Sequence, residues 1–168
     1  MTYPINWLVV FGSAIVPIVV GFIWYHPKVF GNIWMKESGT MPDAPNKSNM
    51  GIVFGATVFL SLMLAAALVF AVVHQLHIFS TVMGNPELQD PNSELNTLLK
   101  TLIEKYGQNF RTFKHGALHG SMAGFTMALP IVAINALFER KSAKYIFITA
   151  GYWIVAFTLM GGIICGFA

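Results

Sequence analysis

The chain has 168 residues, of which 55% are hydrophobic and only 10% charged, with a formal net charge of +3. That balance excludes an ordinary soluble domain and predicts an integral membrane protein. The few basic residues are spread over polar segments with no basic, aromatic-interleaved patch, which excludes a nucleic-acid partner and leaves the lipid bilayer as the first one.

A bilayer core of about 30 Å needs roughly 20 apolar residues of helix. Four stretches supply that: 5–25, 51–73, 116–138 and 145–167. No Lys or Arg precedes the first, and bulky Trp24, Tyr25 and His26 follow it where a signal peptide would carry small residues, so it is expected to stay as an uncleaved span. Pro27 is expected to end that helix at His26, because its ring disfavours helical geometry in the preceding residue. Trp24, Tyr25, Phe30 and Trp34 then surround Lys28 and Lys36, the mixture found at headgroup level, so Trp24, Tyr25 and Trp34 are read as interface anchors and His26 as a headgroup contact. Residues 40–49 read as a polar turn.

In the second loop Asp90 and Pro91 form a cap and first-turn pair. Leu95, Leu98, Leu99, Leu102, Ile103 and Tyr106 follow as an amphipathic stripe over 91–106 that ends near Gly107. It is expected to lie on the outer face or cap the bundle; a docking surface for another protein is the sharper alternative. Pro130 is expected to kink the third span. The single cysteine, Cys165, lies deep in the fourth and permits no intrachain disulfide. The fold class is therefore all-α: one polytopic domain over 1–168, with four transmembrane helices and an amphipathic helix in the second loop.

Loops one and three hold Lys28, Lys36, Lys47, Arg140, Lys141 and Lys144, whereas the basic residues of loop two are offset by Glu87, Asp90, Glu94 and Glu104. Short loops follow the positive-inside rule best, and the tight turn ERKSAK is the clearest of them. Loops one and three are expected in the cytoplasm and both termini outside.

The block Trp24, Tyr25, His26, Pro27, then Phe30, Gly31 and Trp34, directly after a span containing Gly21, resembles the opening signature of an uncharacterised family of small bacterial four-span membrane proteins, a domain of unknown function. The resemblance implies the fold and a bacterial inner-membrane location. It implies no activity and no functional residues.

The stretch HGALHGSMAG carries two further patterns. Gly116, Gly120, Gly124 and Ala128 recur every fourth residue, the spacing that lets membrane helices approach closely, and at 100° per residue Asn135 falls near the same face. Gly51 and Gly55, and Gly162 and Gly166, repeat the spacing on spans two and four. His115 and His119 share another side of the third helix, while His74 and His77 end the second. All four fall at one membrane boundary, on helices joined by one loop. Imidazole ligates Zn, Cu, Ni and Fe, and pairs three or four apart on facing helices are how bundles build metal sites. Interfacial histidines bonded to water, headgroups or carbonyls are the plainer reading.

Other chemistries fall away. There is no glycine-rich phosphate loop, no HExxH and no nucleophile elbow, and no Asp, Glu, Lys or Arg lies in mid-span. The nine methionines are scattered, as soft packing would be. The leading expectation is a non-enzymatic structural or interaction subunit without a cofactor, alone, as a homo-oligomer or in a larger membrane complex. The alternative is a metal or haem binder using His74, His77, His115 and His119. A small-solute channel or transporter formed by oligomers around the glycine-lined third span ranks third.

Overall fold

The computed structural model describes residues 3–40 and 49–168, and these are all-helical. Four helices are long and apolar enough to cross a membrane: α1 (Trp7–Trp24), α3 (Met50–Val72), α6 (Phe113–Phe138) and α7 (Ala143–Phe167). Three shorter helices lie between them: α2 (Asn32–Ser38), α4 (Gln75–Ser80) and α5 (Glu94–Tyr106). The turn expected at 40–49, together with Lys47, falls largely outside the described residues.

Polar caps start the spans. Asn6 accepts from the Leu8 amide, Asn49 from Gly51, Thr112 from His115 and Ser142 from Tyr145. Each satisfies at least one of the four amides that a helix start leaves without a partner. In α5 the cap is Ser93, which accepts from Asn96, rather than Asp90. The helix therefore begins at Glu94, and the residues assigned to its first turn form a separate turn. There the buried Asn96 amide donates to the carbonyls of Glu87, Leu88 and Asp90, and ties that turn to the helix.

Helix α7 is the central element, touching α1, α2, α3 and α6. Its side chains are buried on several sides, among them Ile148, Ala156, Met160, Ile164 and Cys165. Lipid tails are as apolar as these residues, so helices in a bilayer associate through close contact and dispersion rather than escape from water. The closest contact is between α6 and α7. A Cβ on Gly116 would collide with the Gly161 carbonyl, one on Gly120 with the Phe157 carbonyl, and one on Gly124 with the Ile154 backbone. Gly162 and Gly166 lie against Phe113 at the start of α6, whereas Gly55 of α3 has open space around it.

Within α6 the residues Gly124–Ala128 form a wide π-type turn, in which the Leu129 amide bonds to the Gly124 carbonyl. Proline at position 130 has no amide to give, and the wider turn accommodates its ring. The extra residue rotates everything beyond it by one position. Asn135 is consequently exposed, and Ala136 is buried where regular α-helical arithmetic puts the asparagine.

The bundle has two distinct ends. At one, loops one and three meet: the Lys141 ammonium donates to the Ser38 carbonyl, and the Ser142 hydroxyl to Glu37. At the other, loop two folds over the helix ends. The Tyr3 hydroxyl donates to the Gly107 carbonyl at 2.7 Å, and Arg111 reaches the Ala168 carbonyl while lying 5.6 Å above the Tyr3 ring. Helix α5 covers this end with Leu99 buried and Ile103 against the core.

Trp24, Tyr25 and Trp34 are half-buried, and Trp24 and Tyr25 reach α7. The Trp24 indole donates to the Ile148 carbonyl at 3.0 Å, and the Tyr25 ring lies 5.2 Å from Trp34 and 5.3 Å from Tyr152. A Cβ on Gly31 would strike the Tyr25 carbonyl, which explains a glycine directly after Phe30.

Candidate metal centre

The histidine end of the bundle begins with a break in the chain. Helix α3 stops at Val72, and Val73 leaves helical geometry at φ −108° and ψ 88°. His74 then opens the short helix α4. The bend points the His74 ring toward α6 and carries His77 away. His77 is exposed, with its ring centre 6.3 Å from that of His74, outside the group that forms. The four rings expected from sequence are thus three at the site, because a straight helix through residue 77 does not exist.

Those three converge. The Nε2 atom of His74 lies 3.0 Å from Nε2 of His115 and 3.3 Å from Nε2 of His119. Ligating atoms of all three rings lie within 4.8 Å of one another, and each residue is half-buried. His115 and His119 sit one turn apart, with ring centres separated by 4.5 Å. The Thr112 cap receives the backbone amide of His115 itself, so the capping contact also fixes where that ring leaves the helix.

Loop two holds the other side in place. Gln75, buried and next to His74, donates its side-chain amide to the Asn109 carbonyl at 2.8 Å. Cys165 of α7 donates to the Phe110 carbonyl at 3.3 Å. Phe110 has a left-handed backbone, φ 63°, uncommon for a bulky residue, and its ring lies 5.0 Å from His115. Gln75, Asn109 and Phe110 carry no sequence pattern that marks them as neighbours of the site; only the position of Gln75 between two histidines hints at it.

Hydrogen bonding alone does not account for this arrangement. The Nε2 atom of a neutral imidazole carries either one proton or one in-plane lone pair, enough for one good partner. Here it faces two. Burial lowers the pKa of His74 below the ordinary histidine value, and the rings of His119, His115 and His77 lower it further. The ring is therefore neutral at physiological pH, the state in which imidazole ligates a metal. A tetrahedral ion with nitrogen ligands at about 2.0–2.1 Å sets those nitrogens roughly 3.3–3.4 Å apart. The observed separations from His74 are close to that.

Neither a curated protein nor a solved structure matches the chain. The match that does extend over it runs from residue 8 to residue 165, through all four spans and both halves of the histidine group, and by it the chain belongs to the DUF1761 family, described as a protein of unknown function.

Proposed function

We propose that this membrane protein binds one divalent transition-metal ion, zinc-like in its preference for nitrogen ligands, through His74, His115 and His119. The observation that carries this reading is the convergence of three Nε2 atoms from two helices at 3.0 and 3.3 Å from a common ring. A haem is a poorer fit. Two imidazoles on opposite sides of an iron stand roughly 4 Å apart, twice a metal–nitrogen bond of about 2.0 Å, with the porphyrin plane between them. Among the described residues the group is made of imidazoles alone, so its ligands are all nitrogen.

The glycine stripe supports a role inside one chain. Gly116, Gly120 and Gly124 meet α7, so the face that would line a pore or join a second copy is already occupied. Residues that bind a metal and residues that bring two helices together thus alternate along α6. The charge distribution supports loops one and three in the cytoplasm, with the histidines and both termini on the outer side. A cysteine at Ser142 should then resist impermeant thiol reagents in intact cells while one at Gln89 labels. The reverse pattern would put the metal site on the cytoplasmic side.

The direct test is titration of the purified protein in nanodiscs with Co²⁺ or Zn²⁺. One equivalent should bind. The double variant His74→Ala/His119→Ala should lose it, while His26→Ala and His77→Ala should retain it. Absence of uptake by the unaltered protein, or equal loss in the His26→Ala variant, overturns the proposal.

A further inference from the structure

Below the histidines a groove of about 740 Å³ runs between α3 and α6, with Trp153 and Phe157 of α7 also lining it. Its lining is almost wholly apolar: Leu64, Ala67, Leu68, Phe70 and Ala71 from α3, and Ala123, Met127, Ala128, Ile131 and Val132 from α6. The two helices run in opposite directions, and both bring the groove to the metal centre at the same end. Ala123 lies four residues after His119, about one helical turn, and Ala71 lies three residues before His74, just ahead of the break at Val73. The small side chains Ala67, Ala71 and Ala123 keep the groove open where a larger residue would close it.

Three imidazoles leave a zinc-like ion with an open coordination position, as in sites where a water or substrate is the fourth ligand. They also leave its charge uncompensated, since neutral rings contribute none and no acidic residue belongs to the group among the described residues. A fourth ligand that is an anionic oxygen would offset that charge. Apolar space that begins about one helical turn from His119 suits a hydrocarbon chain attached to the same molecule. From Ala123 to Val132 the groove follows α6 for about 14 Å at 1.5 Å per residue.

We infer that the metal centre and the groove form one site for a medium- or long-chain carboxylate, its head on the ion at His74, His115 and His119 and its chain between α3 and α6. This rests on the metal reading above, and the experiment separates the two. Protein in nanodiscs of uncharged lipid is first loaded with Co²⁺, whose visible absorption reports its ligands; dodecanoate or acetate is then added. Dodecanoate should change the spectrum at concentrations at least tenfold below those acetate requires. The variant Ala67→Phe fills the groove from an exposed position and should bind Co²⁺ as before while losing most of that tenfold preference. Failure to bind Co²⁺ removes both proposals. If Co²⁺ binds but dodecanoate leaves its spectrum unchanged, the metal reading stands and the carboxylate site falls. Equal response to acetate and dodecanoate reduces the site to a plain anion position. A spectrum changed by phosphatidic acid in the disc, and not by dodecanoate, assigns the groove to a lipid phosphate and overturns the carboxylate inference.

Discussion

Gly120→Ala is expected to lower the thermal midpoint of the purified protein by on the order of 5–10 °C, while Gly55→Ala leaves it unchanged or raises it by a few degrees. Both changes replace glycine within a spanning helix by the best helix former, worth about 1 kcal/mol in an exposed helix. What differs is the space. At Gly55 nothing lies within 4 Å of an added Cβ. At Gly120 the added carbon meets the Phe157 carbonyl and comes within 3.1 Å of the Thr158 Cα, so backbone must move and α6 must part from α7. Overpacking typically costs about 1–3 kcal/mol even where side chains can yield, and backbone yields less. Gly120→Leu should go further and abolish recovery of folded protein. Because Gly120 directly follows His119, the alanine variant should also weaken Co²⁺ uptake. Equal midpoints for the two alanine variants would show that α6 and α7 are not held together at this stripe.

The four spans were legible because each is an apolar run bounded by polar caps, and run length is a property of sequence alone. Their starts were less so. Helix α6 begins at Phe113, three residues before the apolar stretch, because Thr112 caps it and hydropathy does not register a cap. Gly116, Gly120 and Gly124 keep regular helical spacing against α7, whereas one extra residue in the turn before Pro130 moves every later side chain, Asn135 included, by about 100° around the helix. The histidines divide in the same way. His115 and His119 lie on one unbroken turn, where spacing determines direction, whereas His74 and His77 both follow a break at Val73 that no glycine or proline announces. Trp24 and Tyr25 have the composition of membrane-surface anchors, and their contacts with Ile148 and Tyr152 of α7 appear only in three dimensions.

The site is thus assembled from two kinds of information. Helix periodicity sets the α6 pair. Long-range contacts set the third ring: Gln75 to Asn109 and Cys165 to Phe110 fix loop two against the bundle, and through it the position of His74. Those contacts join residues 34 and 55 positions apart, beyond the reach of any local pattern. They also give a physical reason for a metal to favour the folded chain: the ion's ligands meet only when both helices and the loop are in place.

Acid should release the ion steeply, and the sign follows from the direction in which His74 is shifted. Its folded pKa lies below the ordinary value of about 6.5, because burial and then the neighbouring rings of His119, His115 and His77 disfavour the charged form. In the metal-free protein this group contributes stability that is fully present above pH about 6.5 and is lost as pH falls through the lower folded value, where a charged ring is forced among its neighbours. With the ion bound, each ring that takes a proton must first give up the metal, so up to three protons compete with one ion. Affinity should be nearly flat above neutrality. It should then fall at least tenfold per pH unit once the first ring protonates, approaching about a thousandfold per unit as all three do. Potentiometric or spectroscopic titration of Co²⁺ binding between pH 8 and 5, roughly the imidazole range, gives the proton count as the slope. Replacing His115 by Ala should reduce the limiting slope by one proton while weakening binding, and His77→Ala should leave the slope unchanged apart from a small rise in the His74 pKa, since one neighbouring ring is removed. A slope below one proton per ion in the unaltered protein would mean that the imidazoles are not the ligands.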